Sequence, residues 1–350
     1  MTSLESLAID QKVTADYGWY LGDSCELMRA IPDNSIHMSI HSPPFESLYR
    51  FSNSPRDVSN SNGDTFYEHY GVIMDEMLRI TKPGRISAVH VMQLPTTKGR
   101  EGFIGMRDFR GEVIRHHIAS GWQFVSEICI WKDPVIAQQR TKSVRLLHKQ
   151  LKKDSTLSGQ GLADYIVVFR KPGENDTPVD GMFDQWCGSE PREGSDGSHD
   201  ARTPYGIDIS REAYDRHCAN MSAGQTPWPY DTWVSVRVWQ RVASPVWMDI
   251  NQTRTLQYRG GREPDDISHI SPLQLDVIER AIDLWSNPGE VIFTPFGGIS
   301  SEVWAAVNMG RKGLGIELKK SYWIQGIKNL ETAGKSSEAL FDENDNEDEA

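Results

Sequence analysis

The chain has 350 residues, of which 38% are hydrophobic and 25% are charged, and its formal net charge at pH 7 is −12. This composition is that of a soluble globular protein large enough for one α/β domain with an insertion or for two domains. No apolar run approaches the roughly 20 residues of a membrane span, and we find no secretory or lipidation signal at the N-terminus. We therefore expect a cytoplasmic protein that does not bind membranes, and the sparse cysteines fit a reducing compartment.

Residues 17–170 alternate between short β-rich runs and segments with helical spacing of apolar residues. The predicted strands are Trp19–Leu21, Ile36–His41, Arg85–Met92, Phe124–Trp131 and Asp164–Arg170. The predicted helices are Ser24–Ile31, Phe66–Thr81 and Phe109–Ser120, and Pro83-Gly84 is expected to end the second of them. This alternation predicts an α/β fold with a doubly wound, mainly parallel sheet.

The α/β rhythm stops after residue 170 and resumes near residue 270. The intervening segment is rich in Gly, Pro, Ser and Asp and then in tryptophan, with Trp228, Trp233 and Trp239. The later elements are predicted as helix Pro272–Trp285, strand Val291–Thr294, helix Ser300–Met309, strand Gly313–Glu317 and helix Lys320–Leu330. We therefore expect one sheet built from residues 1–170 and 243–334, with an insertion at 171–242 and an acidic, disordered tail at 335–350.

The negative net charge argues at first against a nucleic-acid partner, because phosphate contacts supply most non-specific affinity for DNA. About half of the imbalance, however, lies in six carboxylates within residues 342–349. A second stretch is basic and contains no acid: Arg140, Lys142, Arg145, Lys149, Lys152 and Lys153. This stretch is predicted either to contact phosphates or to form a solvated helix face.

Distinctive residues stand at the carboxyl ends of four predicted strands, where open α/β sheets bind ligands. One strand is followed by Gly22-Asp23, and another ends at Glu317. Pro295-Phe296-Gly297-Gly298 follows a third strand and precedes a helix that begins at Ser300. The glycines allow a ligand close to the backbone, and Glu317 could accept hydrogen bonds from two ribose hydroxyls. The combination suits an adenosine-containing cofactor, and a tight turn is the alternative interpretation of the glycine pair.

The fourth strand end carries the sequence Ser42-Pro43-Pro44-Phe45. Two prolines stiffen this loop and remove two amide donors, which leaves its carbonyls free as acceptors. Such a loop could hold a flat base that carries an amino group. A proline turn that merely closes the strand is the alternative.

These motifs resemble those of the β group of DNA amino-methyltransferases. HSPPF at 41–45 is similar to their catalytic motif, and PFGGISSE at 295–302 to their cofactor loop, which follows the catalytic motif in this permuted group. The segments 21–36, 75–85, 120–132 and 270–282 agree with it. The resemblance implies a circularly permuted, Rossmann-like fold, S-adenosyl-L-methionine as the cofactor and double-stranded DNA as the substrate.

The resemblance also assigns residues. In the implied mechanism the amino nitrogen of a flipped base attacks the methyl group directly; Ser42 Oγ and the Pro43 carbonyl accept its N–H groups, and Phe45 stacks on the base. The residues implied in cofactor binding are Asp23, Ser271, Pro272, Pro295, Phe296, Gly297, Gly298, Ser300 and Glu317. Three positions in and around this set depart from the family pattern, because Thr294 stands where the family has an aspartate, Ser300 where it has a glycine and Ser271 where it has a lysine.

Serine at the first motif position is associated in this family mainly with N4 of cytosine, and aspartate or asparagine with N6 of adenine. We expect N4 methylation of cytosine and keep N6 methylation of adenine as the alternative. An enzyme that methylates RNA or a small amine and a DNA-binding protein that has lost catalysis stay open. A homodimer and a cognate restriction nuclease are compatible with the sequence but are not implied by it.

Two further groups are candidates for binding roles. Tyr49, Arg50 and Arg56 follow the catalytic loop and could contact DNA, and residues 171–242 are the candidate target-recognition region. Zinc is not expected, because the spacings of the candidate ligands are irregular. Those ligands would be Cys187, His199, His217 and Cys218.

Overall fold

The computed structural model describes residues 3–45, 63–96, 98–135, 147–157, 159, 161–180, 210–261 and 272–334. The strands are β1 (Asp10–Val13), β2 (Tyr17–Leu21), β3 (Ile36–His41), β4 (Thr81–Met92), β5 (Leu94–Pro95), β6 (Met106–Arg107), β7 (Gln123–Ile130), β8 (Asp164–Arg170), β9 (Val246–Trp247), β10 (Val291–Thr294) and β11 (Lys312–Glu317). The helices are α1 (Leu4–Leu7), α2 (Ser24–Leu27), α3 (Gly63–Ile80), α4 (Lys98–Glu101), α5 (Phe109–Ala119), α6 (His148–Lys153), α7 (Arg211–Ala219), α8 (Tyr230–Val242), α9 (Leu275–Trp285), α10 (Ser301–Asn308) and α11 (Lys320–Leu330). No helix among the described residues combines the length and apolar composition needed to cross a membrane.

Nine of these strands form one sheet in the order β1-β2-β11-β10-β3-β4-β8-β7-β9. The five strands from β2 to β4 in this order are parallel, whereas β1, at one edge, and β8 pair antiparallel with their neighbours. The late strands β10 and β11 lie between the early strands β2 and β3. The prediction of one mainly parallel sheet built from both ends of the chain is therefore confirmed.

Alternate residues of the central strands enter two separate cores, because helices cover both faces of the sheet. On β8, Ile166 and Val168 join the core beneath α9, α10 and α11. Val167 and Phe169 join the core beneath α2, α3 and α5. The strands therefore consist of nearly continuous apolar runs, which is why their positions could be predicted well.

The indole of Trp19 on β2 fixes the packing of the strands that come from the end of the chain. It is completely buried, and its Nε1 donates to the Trp323 carbonyl at 3.0 Å. A Cβ atom added to Gly297 would lie 2.3 Å from this ring, and one added to Gly315 2.6 Å from it. The glycines let β11 and the loop after β10 approach β2 closely.

The structure corrects the predicted end of the second helix. Helix α3 ends at Ile80, and β4 begins at once at Thr81, so that Pro83 and Gly84 lie within the strand. Gly84 has a φ of 72°, and its N–H donates to the Lys171 carbonyl at 3.0 Å. The Pro-Gly pair is accommodated in an irregularity of the parallel pairing, because Thr81 pairs with Ile36 and Ile86 with Met38, so that the residues between them on β4 bulge out of register with β3. Strands β1, β5, β6 and β9 were not predicted.

Candidate active site

The four strand ends singled out in the sequence meet at one edge of the sheet. The Gly22 N–H donates to the Glu317 carbonyl at 2.9 Å, which joins the ends of β2 and β11. Ser24 Oγ donates to the Pro295 carbonyl at 2.5 Å, which joins α2 to the loop after β10. Ser42 follows β3, which pairs with β10 in parallel, so its loop emerges beside the same glycine loop. The expected crevice is therefore formed at the carboxyl edge.

Glu317 and the two glycines form a fixed acidic corner. Glu317 Oε2 accepts the Gly298 N–H and Oε1 accepts the Lys319 N–H, each at 2.7 Å. Gly298 has a φ of 54°, and the position of its missing Cβ faces open space. Gly297, by contrast, packs against Trp19, so Gly298 is the one of the two glycines that leaves space for a ligand, and its role in binding stays a prediction.

The loop can accommodate an adenosine-containing cofactor. The carboxylate oxygens of Glu317 are held in place while each retains acceptor capacity for a hydroxyl group. The buried hydroxyls of Thr294 and Ser301 have no hydrogen-bond partner among the described residues, so both are available to form hydrogen bonds with a ligand in the loop. These features fit the cofactor expected from the sequence, including at Thr294, where the resembled family has an aspartate.

A second carboxyl group, that of the buried Glu302, lies beside the cofactor loop. Burial raises the pKa of the Glu302 carboxyl to about 8, against a backbone hydrogen bond that lowers it, and the charge of Glu317 contributes to the rise. Glu302 is therefore mostly protonated at neutral pH. It adds little negative charge next to Glu317.

The Ser-Pro-Pro-Phe loop is held from below by aromatic packing. Pro43 and Pro44 are buried, whereas Ser42 and Phe45 are partly exposed. The Phe45 ring lies edge-on to Phe109, with 5.9 Å between ring centroids. Stacking of Phe45 on a base stays a prediction.

His41, immediately before this loop, links the two candidate loops. Its Nε2 lies 3.1 Å from the Tyr70 hydroxyl, and its ring centroid is 5.9 Å from that of Phe296. Burial, with a smaller contribution from His117, lowers the pKa of His41 to about 3, so its imidazole is neutral. Phe296 therefore packs against an uncharged, buried imidazole ring.

Ser42 is also connected to a chain of polar side chains that the sequence analysis missed. Ser42 Oγ lies 2.8 Å from His90 Nδ1. His90 Nε2 lies 3.2 Å from Asp164 Oδ2, although the ring N–H is not aligned for a hydrogen bond with this oxygen. Lys132 Nζ lies 2.6 Å from the same oxygen. A histidine within the apolar strand sequence SAVHVM was the available signal, but its partners come from strands distant in sequence.

The remaining predicted cofactor residues have mixed placements. Asp23 caps α2 by accepting the Cys25 N–H at 2.8 Å. Ser300 is fully buried and its hydroxyl donates to the Gly326 carbonyl at 3.1 Å, so its side chain faces α11. Pro272 is partly exposed just before α9. Ser271 lies outside the described residues.

The predicted DNA contacts are only partly covered by the structure. Lys149, Lys152 and Lys153 are exposed on the short helix α6. Within the described ranges no group of three or more His, Cys, Asp or Glu residues is placed to hold a metal ion. The other candidates lie outside the described residues: Tyr49, Arg50, Arg56, Arg140, Lys142, Arg145, and the cysteine and histidine at 187 and 199.

Comparison with known proteins gives a family match over most of the chain. Residues 36–328 match the model of the N6 and N4 methyltransferases, described as DNA methylase. The DNA adenine methyltransferase YhdJ of Escherichia coli (strain K12) is 34% identical over 61 residues, which are 17% of this chain and 21% of that protein. The match thus spans about a fifth of the length of this curated relative.

Solved structures share the fold at low sequence identity. TTHA0409 of Thermus thermophilus, a DNA modification methylase by its description, is 17% identical with a TM-score of 0.54, and the alignment covers 90% of this chain and 95% of that one. The cytosine-N4-specific PvuII DNA methyltransferase is 15% identical with a TM-score of 0.55, over 94% of this chain and 91% of that one. A further structure of TTHA0409, with a TM-score of 0.53, contains S-adenosyl-L-methionine.

Proposed function

The chain belongs to the DNA methylase family, whose model matches residues 36–328, and from this premise we propose that it transfers a methyl group from S-adenosyl-L-methionine to an exocyclic amino nitrogen in double-stranded DNA. The observation that carries the proposal is the position of Ser42. Its partly exposed hydroxyl follows β3 at the sheet edge where β10 presents the glycine loop. An acceptor for an amine is thereby placed beside a site that suits the cofactor.

Ser42 and Pro43 prepare the amine for attack. The lone pair of an exocyclic amine is delocalised into the base, and hydrogen bonds from its N–H groups to fixed acceptors favour a pyramidal nitrogen. Ser42 Oγ and the Pro43 carbonyl are the acceptors, and the two buried prolines keep the loop rigid. The bound cofactor supplies the methyl group as an electrophile; Glu317, Gly298 and Phe296 hold it.

We assign N4 of cytosine as the favoured acceptor, on the basis of serine at the first motif position. The fold likeness to a cytosine-N4-specific enzyme is compatible with this assignment. N6 of adenine is the second candidate, because the short sequence match is to a DNA adenine methyltransferase. Both reactions require the same acceptors at Ser42 and Pro43.

Target recognition is assigned to the insertion at 171–242. Its first part, residues 171–180, lies at the amino edge of the parallel strands, where Arg85 donates to the Thr177 carbonyl at 3.1 Å. Ser42 lies at the opposite edge of the sheet. In the later part, Trp233 of α8 is buried against α7, whereas Trp228, between the two helices, and Trp239 of α8 are 54% and 52% exposed. We therefore place base recognition in the later part.

Product identification tests the proposal directly. The protein is incubated with methyl-labelled S-adenosyl-L-methionine and duplex DNA or RNA, and the nucleic acid is digested to nucleosides for mass spectrometry. N4-methylcytosine is expected, and N6-methyladenine would move the assignment to the second candidate. Label in RNA alone, or in neither nucleic acid while the cofactor still binds, would contradict the proposed function.

A further inference from the structure

We propose that Ser42, His90 and Asp164 form a relay that draws the displaced proton away from the target amine through the Ser42 hydroxyl. The inference rests on the proposed function and adds His90 as a positioning residue and Asp164 as its anchor. The chain of contacts is continuous from the crevice inward, with 2.8 Å between Ser42 Oγ and His90 Nδ1 and 3.2 Å between His90 Nε2 and Asp164 Oδ2.

The order of the partners sets the direction of the hydrogen bonds. Asp164 is an acceptor when ionised, so a small rotation of the ring lets His90 Nε2 donate to it. The same tautomer leaves His90 Nδ1 as an acceptor, which the Ser42 hydroxyl can satisfy by donating its proton. The lone pairs of Ser42 Oγ then remain available to accept an N–H of the target amine.

The positive charge of Lys132 is the main reason that Asp164 stays ionised. Burial alone would raise the pKa of the Asp164 carboxyl, but Lys132 and His90 outweigh this effect and lower it to about 2. Asp164 on β8 faces His90 directly, and Lys132, two residues beyond β7, reaches the same carboxylate oxygen. Phe45 lies edge-on to His90, with 6.1 Å between ring centroids, and helps to shield the contact from water.

The relay gives the reaction a balanced path for its proton. The methyl–nitrogen bond forms as the methyl–sulfur bond breaks, so the positive charge of the sulfonium passes to the amine. One amine proton moves to Ser42 Oγ while the Ser42 hydroxyl proton moves to His90 Nδ1. The resulting imidazolium is stabilised by the Asp164 carboxylate and returns its proton to water after the product leaves. A serine needs this partner because its neutral hydroxyl cannot retain an extra proton by itself.

Replacement of His90 separates proton uptake from simple orientation of Ser42. The amide oxygen of His90→Asn can accept the Ser42 hydroxyl but cannot take up its proton. The single-turnover methyl-transfer rate is expected to fall about 10²-fold, within the range for loss of a general base, while the Kd values for cofactor and DNA stay within about twofold. His117→Asn is the matched control, since His117 is also buried but bonds the Val113 carbonyl within α5. An undiminished rate in His90→Asn, or an equal loss in the control, would overturn the relay.

The tautomer of His90 provides a test that needs no turnover. In ¹⁵N-histidine-labelled wild-type protein, we expect the His90 signal of the Nε2–H form, assigned by its loss in His90→Asn. Asp164→Asn should shift the signal toward a mixture of tautomers and slow methyl transfer. A protonated Nδ1 in the wild type, or no change in Asp164→Asn, would disprove the relay. If the wild type binds cofactor but methylates no DNA, the proposed function fails, while the tautomer of His90 still shows whether its hydrogen bonds run from Ser42 to Asp164.

Discussion

Ser42 combines two properties that a group acting on an amine needs. It is partly exposed at the sheet edge, and its Oγ is held by His90 at 2.8 Å. The hydroxyl therefore has a defined direction without being buried. Its contribution can be measured against that of a nearby serine on β3, Ser39, whose hydroxyl bonds Ser87 inside the sheet.

We predict that Ser42→Ala lowers the single-turnover rate by about 10²-fold, the size of effect seen when one positioned hydrogen-bond partner is removed. The affinity for S-adenosyl-L-methionine should change little, because the contacts of the glycine loop are made by other residues. Ser39→Ala, measured per folded enzyme, should keep its rate. Unchanged turnover in Ser42→Ala would remove this residue from the mechanism.

Glu317 is the corresponding residue on the cofactor side, and Glu317→Ala should weaken cofactor binding by about 1.5–3 kcal/mol, typical of hydrogen bonds to a charged group. The lost carboxylate also frees the N–H groups of Gly298 and Lys319, which adds disorder to the loop. Titration calorimetry with S-adenosyl-L-methionine measures the change. The control is Glu331→Ala, which removes an exposed carboxylate just beyond α11. Equal affinities in wild type and Glu317→Ala would refute the assignment.

At the level of elements, the departure of Ser300 from the glycine of the resembled family has a conformational meaning. Ser300 precedes α10 with a φ of 73° and a ψ of 26°, a left-handed conformation that favours glycine. Its buried hydroxyl compensates by donating to the Gly326 carbonyl of α11 at 3.1 Å. The serine therefore strains the backbone, and its hydrogen bond links the start of α10 to α11.

Two substitutions at this position separate the two effects. Ser300→Ala keeps the left-handed strain of about 1–2 kcal/mol and loses the hydrogen bond, so we predict a loss of about 1 kcal/mol in the free energy of unfolding. Ser300→Gly loses the same bond but relieves the strain, and it should be close to the wild type. Urea unfolding measures both variants. An alanine variant as stable as the glycine variant would show that strain does not operate here.

The elements that could be predicted from the sequence are those with strong local signals. Strands β3, β8 and β10 and helix α11 lie where the apolar patterns put them, and the crevice followed from residues at strand ends. Strand β9 was missed because two residues carry too little periodicity. The partnership of Ser42 with His90 and Asp164 was also missed, since it depends on pairing of β4 with β3 and β8 across long stretches of chain.

For the whole molecule, the permuted order means that the site forms only when both ends of the chain are folded together. The loop after β3 supplies Ser42, and β10 and β11, late in the chain, lead into the cofactor loop and end at Glu317. The connection from β7 to β8 also leaves and re-enters the sheet at this edge, because Ile130 and Met92 both pair with Asp164. The basic helix α6 therefore belongs to a segment anchored beside Ser42.

The last prediction concerns how an acidic protein holds DNA. If Lys149, Lys152 and Lys153 bind phosphates, replacing all three by glutamine should weaken binding to every DNA sequence alike, because phosphate contacts position a duplex without reading it. The slope of log affinity against log salt should become shallower by roughly 0.9 for each phosphate that is no longer neutralised, while cofactor affinity and base preference stay unchanged.

The matched control for this variant removes equal charge elsewhere. Lys12, Lys312 and Lys328 are exposed on β1, at the start of β11 and near the end of α11, away from the carboxyl edge. Their replacement by glutamine removes the same three positive charges from the protein, but every phosphate contact is kept, so the salt slope should match the wild type. Filter binding or fluorescence anisotropy over a range of salt concentrations measures both slopes. Equal slopes in the two triple variants would leave α6 as a solvated helix and move phosphate binding to another surface, with α7 and α8 as the next candidates because they carry exposed arginine and tryptophan side chains.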